Sequence, residues 1–254
     1  MHLVEHATDS DLEAILAWLK IEYSEDNGEG FWNNRALIER NHRHYRELFV
    51  TREAGEAVSF HLGQHAPSIV STRKDRRGRG HAEAHLVAAI ARCRTDNVNI
   101  LDIECEPRSS WAFWQKRGFV RYGNMSDWGQ ITARMVLETR HTLPQGPRGR
   151  VLIEFFPEEA SYKEGIDRLY GWSIDAALLP DGSYQLPERL FGHSRDIAVG
   201  RDLVVRVTVD DHMLYFDKAK YDEAEALGVK HDLLGDCFFL DRICPPHRGG
   251  YRKL

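Results

Sequence analysis

A chain of 254 residues, of which 42% are hydrophobic and 10% aromatic, is long enough to bury a core in one large or two modest domains. Its formal net charge of −5 does not favour a general affinity for nucleic acid. The sequence has no secretory signal and no apolar run long enough to cross a membrane, so we expect a cytoplasmic protein without a membrane partner.

The cysteines and the basic residues narrow the chemistry further. The four cysteines lack the C-x-x-C and related spacings of metal sites, so we expect buried thiols and no bound metal. Five cations crowd one turn: Arg73, Lys74, Arg76, Arg77 and Arg79. Such a cluster is either a solvated loop or a surface that attracts a polyanionic cofactor.

The first predicted elements are a short strand at residues 3–6 and a helix that begins at Thr8 or Asp9, both suitable N-cap residues. A second helix is predicted to run to about Tyr45. The apolar stripe of the first helix follows the spacing i, i+3, i+4 and i+7, at Leu12, Ile15, Leu16 and Leu19.

A hairpin is predicted next, with strands at residues 48–52 and 57–62. A strand at 69–70 then enters a glycine-rich turn at 77–82, and a helix follows as far as Cys93. The apolar stripe of this helix is formed by Ala82, Leu86, Ala89, Ile90 and Cys93. Polar residues are expected on another side, at His81, His85 and Arg92.

The glycine-rich turn has the properties of a phosphate-binding loop. A helix N-terminus leaves backbone N–H groups unpaired and carries partial positive charge, and glycines allow an anion to approach them. No Walker sequence is present, and Glu83 stands where the dinucleotide fingerprint requires a small residue after Gly78 and Gly80. The pattern that remains is R-x-x-G-x-A, read as Arg77, Gly80 and Ala82.

The next strand, at residues 98–106, alternates apolar and acidic side chains with a period of two. Its acidic face carries Asp102, Glu104 and Glu106. This face is either exposed to solvent or forms an acidic floor that attracts a cationic amine and removes its proton.

A short helix at residues 111–117 is predicted to be capped by Ser109-Ser110 and to end at Gly118. Two further strands are expected at 119–120 and 131–137.

The R-x-x-G-x-A pattern resembles the pyrophosphate-binding motif of the GNAT superfamily of acyl-CoA-dependent N-acyltransferases. Residues 110–119 resemble the helix of that family that closes over the thiol end of CoA. The order of elements over about residues 1–140 is also that of the family. The resemblance implies an α/β (α+β) fold with a GNAT-like mixed central sheet flanked by helices.

The resemblance also implies a site for acetyl-CoA as co-substrate. The backbone of Val70, Ser71 and Thr72 would hold the pantetheine arm. The pyrophosphate would be held by the turn and the first residues of the helix, namely Arg77, Gly78, Arg79, Gly80, His81, Ala82 and Glu83.

The catalytic positions match the family less closely. The base is expected at Asp102 and Glu104 jointly, where a carboxylate would accept the ammonium proton of the acceptor. The tyrosine that commonly protonates the departing thiolate is replaced by Trp114, whose indole N–H donates a hydrogen bond but releases no useful proton. An asparagine often found seven residues earlier is replaced by Pro107. Water, another side chain or proximity alone would carry the acid step, or catalysis is impaired.

The resemblance does not extend to the rest of the chain. Residues 141–150 are rich in proline and glycine and predict a linker. Residues 151–254 predict a second, β-rich α+β domain, with strands at 151–156, 203–209, 212–216 and 237–243 and a helix at 222–227. We find no catalytic or metal motif there, so we expect it to select the substrate or to form a homodimer contact.

Together these features predict an N-acetyltransferase that moves an acetyl group from acetyl-CoA to a primary amine by direct attack in a ternary complex. The acceptor would be a small molecule or a protein. A non-catalytic acyl-CoA-binding module is the first alternative. The second is an acetyltransferase of aminoacyl-tRNA, which the basic residues between Arg40 and Arg46 and between Arg73 and Arg79 favour and the overall acidity opposes.

Overall fold

A computed structural model describes residues 2–121, 131–193, 202–232 and 237–245. The chain divides into a first unit, Met1–Val120 with Ser126–Arg134, and a second unit, Arg121–Met125 with Met135–Leu254. Strands and helices occur in both, so the mixed α/β class is confirmed. In the described part of the chain, every helix is too short or too polar to cross a bilayer.

The elements up to residue 136 follow the predicted order. They are β1 (Glu5–His6), α1 (Asp9–Glu25), α2 (Arg35–Arg40), β2 (Leu48–Glu53), β3 (Glu56–Leu62), β4 (Ile69–Thr72), α3 (His81–Thr95), β5 (Ile100–Cys105), α4 (Trp111–Gln115), β6 (Val120–Arg121) and β7 (Ile131–Val136). Helix α2 is preceded by a 3₁₀ turn and followed by a π-helical turn that ends at Tyr45, as far as the second helix was predicted to run.

The expected central sheet is present in two parts. Strands β1, β2, β3 and β4 form a four-stranded antiparallel sheet in that order, and β5, β7 and β6 form a three-stranded sheet. Strand β4 is therefore the edge of one sheet and β5 the edge of the other. In the first sheet, Ser59 lies opposite Thr72 and Phe60 opposite Ser71, which sets the register of β4.

Helix α1 begins as its sequence predicts. Thr8 is the N-cap, and a capping box joins its side chain to Asp11 and the Asp11 side chain back to the Thr8 backbone. Leu12, Ile15 and Leu19 are buried in an apolar cluster with one face of the four-stranded sheet. The rest of that cluster includes Leu48, Val50, Phe60 and Leu62 from β2 and β3.

The carboxylate of Asp11 also joins α1 to the sheet. It accepts hydrogen bonds from Arg52 Nε and Nη2 on β2, at 3.0 and 2.6 Å. Burial raises the pKa of Asp11, but the bonds from Arg52 and Thr8 outweigh it and lower that pKa to about 2. Asp11 is therefore ionised at neutral pH and stays paired down to strongly acidic conditions.

The buried face of helix α3 differs from the predicted stripe. Its buried residues are His81, Ala84, His85, Leu86, Ala89 and Cys93. Ala82 and Ile90 are only partly buried. The expectation that His81 and His85 lie on a separate polar side is wrong, because polar residues of β2 and β3 face these histidines and satisfy their hydrogen bonds.

The second unit is dominated by a seven-stranded antiparallel sheet in the order β12-β11-β8-β9-β10-β14-β13. Its elements are β8 (Arg148–Pro157), β9 (Tyr170–Leu178), β10 (Tyr184–His193), β11 (Leu203–Val209), β12 (His212–Lys218), α5 (Asp222–Ala226), β13 (Lys230–Asp232) and β14 (Cys237–Ile243). The expected β-rich α+β character is confirmed, and β8 begins inside the stretch predicted as a linker.

Strands β9 and β10 were not predicted. Strand β9 alternates apolar and other residues with a period of two over Tyr170–Leu178, a signal that the sequence analysis overlooked. Strand β10 contains Pro187 and two charged residues and has no clear apolar period, so its pairing within the sheet holds it in place. Phe155 of β8 and Leu190 of β10 lie in one buried cluster. In β10, Gly192 leaves room for the Phe155 ring, because a Cβ there would lie 2.5 Å from it.

We expect Thr8→Ala to lower the free energy of unfolding by about 1 kcal/mol, because it removes the N-cap acceptor and half of the capping box. Denaturant titration followed by circular dichroism would measure the change. Ser24→Ala is the control, since its hydroxyl bonds only Lys20 O within the same helix. Equal stability of the Thr8 variant and the wild type would contradict the assignment of this cap.

Candidate functional site

A cleft of about 1250 Å³ in the first unit brings most of the predicted site residues together. The predicted residues that line it are Val70, Ser71, Thr72, Arg77, Gly78, Gly80, His81, Ala82, Glu83, Glu104 and Trp114. Arg79 and Asp102 were also predicted and do not belong to its lining. The opposite wall comes from α1 and the segment that follows it, including Glu22, Tyr23 and Phe31, which the sequence analysis did not single out.

The glycine turn opens the N-terminus of α3 towards this cleft. Gly78 and Gly80 have positive φ angles of 78° and 87°, and a Cβ at either position would meet no atom within 4 Å. Gly80 is the N-cap and offers no side chain, and the first intrahelical bond runs from Ala84 N to Gly80 O. The three N–H groups before Ala84 therefore have no acceptor within the helix and are available to an anion.

The cations of this turn are paired with carboxylates. Arg73 lies within ion-pair distance of Glu56 and Asp75, Lys74 of Glu25 and Asp26, Arg76 of Glu53 and Asp75, Arg77 of Glu22, and Arg79 of Glu53. The turn is thus anchored to α1, β2 and β3 by its charges. Because carboxylates already compensate these positive charges, an anion at the glycine turn would be bound mainly by the backbone N–H groups and not by an excess of cationic side chains.

Glu22 of α1 is central to this anchoring. Its carboxylate accepts a 2.7 Å hydrogen bond from Lys74 N and lies 3.7 Å from the Arg77 guanidinium. Arg77 Nε in turn donates to Thr72 O at 3.0 Å. The arginine of the R-x-x-G-x-A pattern therefore connects the turn to α1 and to the end of β4.

The acidic face of β5 borders the same cleft. The predicted alternation is confirmed, since Leu101, Ile103 and Cys105 are buried while Glu104 is exposed. Glu104 and Glu106 line the cleft, and Asp102 is half-buried outside its lining. Of the two carboxylates predicted as the base, Glu104 is the one that a molecule in the cleft would reach.

Helix α4 contributes an aromatic wall. The Trp114 ring is 8% exposed and packs edge-on against Phe113 and Phe119, with ring centroids 4.9 and 5.2 Å apart. Arg117 of the same segment pairs with Glu83 at 3.0 Å and thereby joins α4 to the first turn of α3. These contacts make Trp114 a packing residue at the cleft wall.

The predicted cap of α4 is not formed. Ser110 is the N-cap residue, but it has helical angles of −71° and −17° and its side chain makes no capping bond. A capping hydroxyl requires an extended backbone at this position, and a 3₁₀ turn at Arg108–Ser110 replaces it here. The positive φ of 91° at Gly118 agrees with its predicted place after the helix.

Beneath α3, polar side chains form a continuous line of hydrogen bonds, which we call the histidine chain: Arg92, His61, His85 and Ser59. Arg92 Nη2 is 2.7 Å from His61 Nε2, and His61 Nδ1 is 2.7 Å from His85 Nδ1. His85 Nε2 is 3.1 Å from Ser59 Oγ. Ser59 Oγ donates to Ser71 O at 2.8 Å and lies 2.8 Å from Thr72 Oγ1.

Both histidines of this chain are neutral. Burial, together with the neighbouring His85 ring and the charge of Arg92, holds the pKa of His61 well below its ordinary value of 6.5. Burial lowers the pKa of His85 to about 3. Each ring therefore carries one N–H and one lone pair, so it both donates and accepts a hydrogen bond.

A second histidine cluster holds the first residue of α3. His81 Nδ1 is 2.9 Å from Thr51 Oγ1, and His81 Nε2 is 3.0 Å from Glu53 Oε1. His81, Glu53 and His2 offer three nitrogen and oxygen atoms at metal-ligand separation. The His2 ring is stacked on His81, with ring centroids 3.9 Å apart, and His2 Nε2 lies 2.8 Å from Arg79 O.

Similarity to known proteins is found among solved structures. No protein-family model matches the sequence, and no curated protein matches it. Among solved structures, Ard1 from Thermoplasma volcanium matches 53% of this chain and 97% of its own, with 20% identity and a TM-score of 0.43. A ribosomal-protein-alanine N-acetyltransferase from Brucella melitensis matches 53% and 99%, with 21% identity and a TM-score of 0.40.

A third similar structure is the PaiA N-acetyltransferase from Thermoplasma acidophilum, solved in complex with coenzyme A. It matches 54% of this chain and 99% of its own, with 11% identity and a TM-score of 0.42. Identities and TM-scores this low do not carry a function over to this chain. The function proposed below therefore depends on the geometry of the cleft and on the sequence motifs.

The neutral histidines predict a pH-dependent stability. The unfolded chain protonates each histidine below about pH 6.5, whereas the folded chain keeps both neutral, so protons favour unfolding. We expect the free energy of unfolding to fall as the pH decreases below about 6.5, by at most about 1.4 kcal/mol per pH unit for each histidine. Urea titrations between about pH 7.5 and 4.5 would measure the slope.

His85→Gln removes one of these groups and should reduce that slope. His44→Gln is the matched control, since it removes an exposed histidine after α2 and leaves the buried pair intact. Carboxylates contribute equally to all three proteins, so the difference between slopes is the relevant quantity. Identical slopes for the wild type and the His85 variant would show that His85 titrates normally in the folded protein.

Proposed function

We propose that this protein is an N-acetyltransferase that transfers the acetyl group of acetyl-CoA to a primary amine by direct attack in a ternary complex. One observation carries the proposal: the open glycine turn at the start of α3, the edge of β4 and the acidic edge of β5 line a single cleft. The sequence motifs at the first and last of these elements are those that resemble the GNAT superfamily.

The residues present fit the proposed co-substrate. Gly78 and Gly80 leave open space in front of the first N–H groups of α3, where a pyrophosphate would be held. Val70, Ser71 and Thr72 line the cleft from an edge strand, where a pantetheine arm would find backbone groups. Acetyl-CoA would supply an acetyl group activated as a thioester.

The chain would supply the proton acceptor. Glu104 is exposed at the cleft and would take a proton from the ammonium group of the acceptor, directly or through water, so that a neutral amine reaches the thioester carbonyl. The acceptor would be a small molecule or a protein bearing a primary amine. As the amine bonds to the carbonyl carbon, the C–S bond of the thioester would break, and the released thiolate would take its proton from water or another side chain, because Trp114 supplies a packed wall rather than a proton.

The cofactor site is tested by calorimetric titration of acetyl-CoA into the wild type and Gly80→Glu. We expect micromolar binding by the wild type and a loss of about 100-fold or more in the variant, because its carboxylate would occupy and repel the pyrophosphate position. Gly55→Glu is a matched control: Gly55 also has a positive φ, of 85°, and open space, but it lies in the β2–β3 turn outside the cleft. Failure of the wild type to bind would overturn the proposed function.

The base is tested with Glu104→Gln under a mixture of primary amines, with release of free thiol as the readout. We expect the rate of thiol release to fall by about 100-fold or more at neutral pH. The loss should be smaller at high pH, where the amine has already lost its proton. Acetyl-CoA affinity should stay unchanged. Asp102→Asn is the comparison, and a larger loss in that variant would assign the base to Asp102 instead.

A non-catalytic acyl-CoA-binding module is the second candidate, and the packing of Trp114 favours it. This buried indole stands at the position where the family commonly has its acid, and Pro107 stands at the other expected polar position. That candidate predicts acetyl-CoA binding without thiol release for any amine. Acetyl-CoA titration together with the thiol-release assay therefore separates this candidate from the enzyme.

A further inference from the structure

The histidine chain has one fixed direction. A guanidinium group can only donate hydrogen bonds, so His61 Nε2 accepts from Arg92 and the His61 proton is on Nδ1. That proton is donated to His85 Nδ1, which leaves the His85 proton on Nε2, facing Ser59 Oγ. The Ser59 hydroxyl then donates to Ser71 O, so every proton position in the chain follows from its arginine end.

The histidine chain ends at the wall of the cleft. Ser59 lies at the centre of β3 with no exposed surface, and its hydroxyl contacts two consecutive residues of β4, Ser71 and Thr72. Both of these residues line the cleft. Because β4 is an edge strand, it is hydrogen-bonded to the sheet on one side only, and the Ser59 hydroxyl adds two contacts at the end that borders the glycine turn.

The Arg92 end of the histidine chain is also held in a fixed position. Arg92 Nε donates to Gln64 O at 2.6 Å, and the guanidinium lies over the Phe49 ring at 4.0 Å. Phe49 is itself stacked on His61 at 4.7 Å. Arg92 therefore has a fixed position on α3, and its hydrogen bond orients the His61 ring.

We propose that the histidine chain positions the strand that holds the cofactor: Arg92, His61 and His85 orient the Ser59 hydroxyl, which fixes Ser71 and Thr72 at the edge of the cleft. This inference rests on the proposed function, because it assigns the chain to the binding of acetyl-CoA. The chain does not conduct protons, since its first member does not release one at ordinary pH. Ser59, His85, His61 and Arg92 are thus positioning residues that do not touch the co-substrate.

The direct test is Ser59→Ala, with acetyl-CoA affinity measured by calorimetry. We expect affinity to fall about tenfold, because displacement of a positioning strand by a fraction of an ångström is enough to weaken a preorganised site. Ser183→Ala is the matched control: it removes a buried hydroxyl that bonds Asp181 in the second unit and should leave affinity unchanged. Wild-type affinity in the Ser59 variant would overturn the positioning role and leave the proposed function standing.

A second pair of variants tests the distant end. Arg92 does not line the cleft, so Arg92→Met should weaken acetyl-CoA binding several-fold only if the histidine chain transmits orientation from α3 to β4. Arg92→Lys keeps a hydrogen-bond donor and should bind acetyl-CoA with an affinity close to that of the wild type. Imidazole ¹⁵N spectra of the free protein give a readout that does not depend on the co-substrate. They should place the His61 proton on Nδ1 and the His85 proton on Nε2 in the wild type, and the opposite tautomers would overturn the inference.

Discussion

The first unit depends on polar side chains buried between helix α3 and the strands beneath it. One face of the four-stranded sheet is apolar and packs against α1, but the face under α3 carries Thr51, Ser59 and His61, none of them exposed. A buried polar group without a partner costs about 1–3 kcal/mol, so His81 and His85 must meet these partners together. Apolar packing tolerates small shifts, whereas directional bonds fix the height and rotation of the helix.

The geometry of the cleft follows from this constraint. With α3 fixed, its N-terminus and the glycine turn have a set position beside β4, and Glu83 reaches Arg117 after helix α4. The ion pairs of Glu22 and Glu53 hold the turn itself to α1 and β2. The buried His81 and His85, with the carboxylates of Glu22 and Glu53, thus set the position of the backbone N–H groups at the cleft. None of these four side chains has to contact a ligand to do so.

The sequence predicts the elements whose signals are local. The cap and stripe of α1, the β2–β3 hairpin, the glycine turn and the alternation in β5 each depend on spacing within one segment, and all are found. The burial of His85 was missed because its partners lie 24 and 26 residues away on β3, and a polar residue on a helix reads as a surface residue. Strand β10, which contains Pro187, was missed for the same reason, since its neighbours in the sheet hold it in place.

The direction of the histidine chain limits how this sequence can vary. Its strand end is the carbonyl oxygen of Ser71, a main-chain acceptor that every residue at that position would supply. Residue 92, at the helix end of the histidine chain, must then be a hydrogen-bond donor. A glutamate there would be an acceptor, and two acceptors would face each other at one of the hydrogen bonds between residue 92 and Ser71 O. Exchange of Arg92 for another donor keeps every proton position of the histidine chain, whereas an acceptor at position 92 requires His61 or His85 to change with it. The four positions are therefore expected to be inherited as a set.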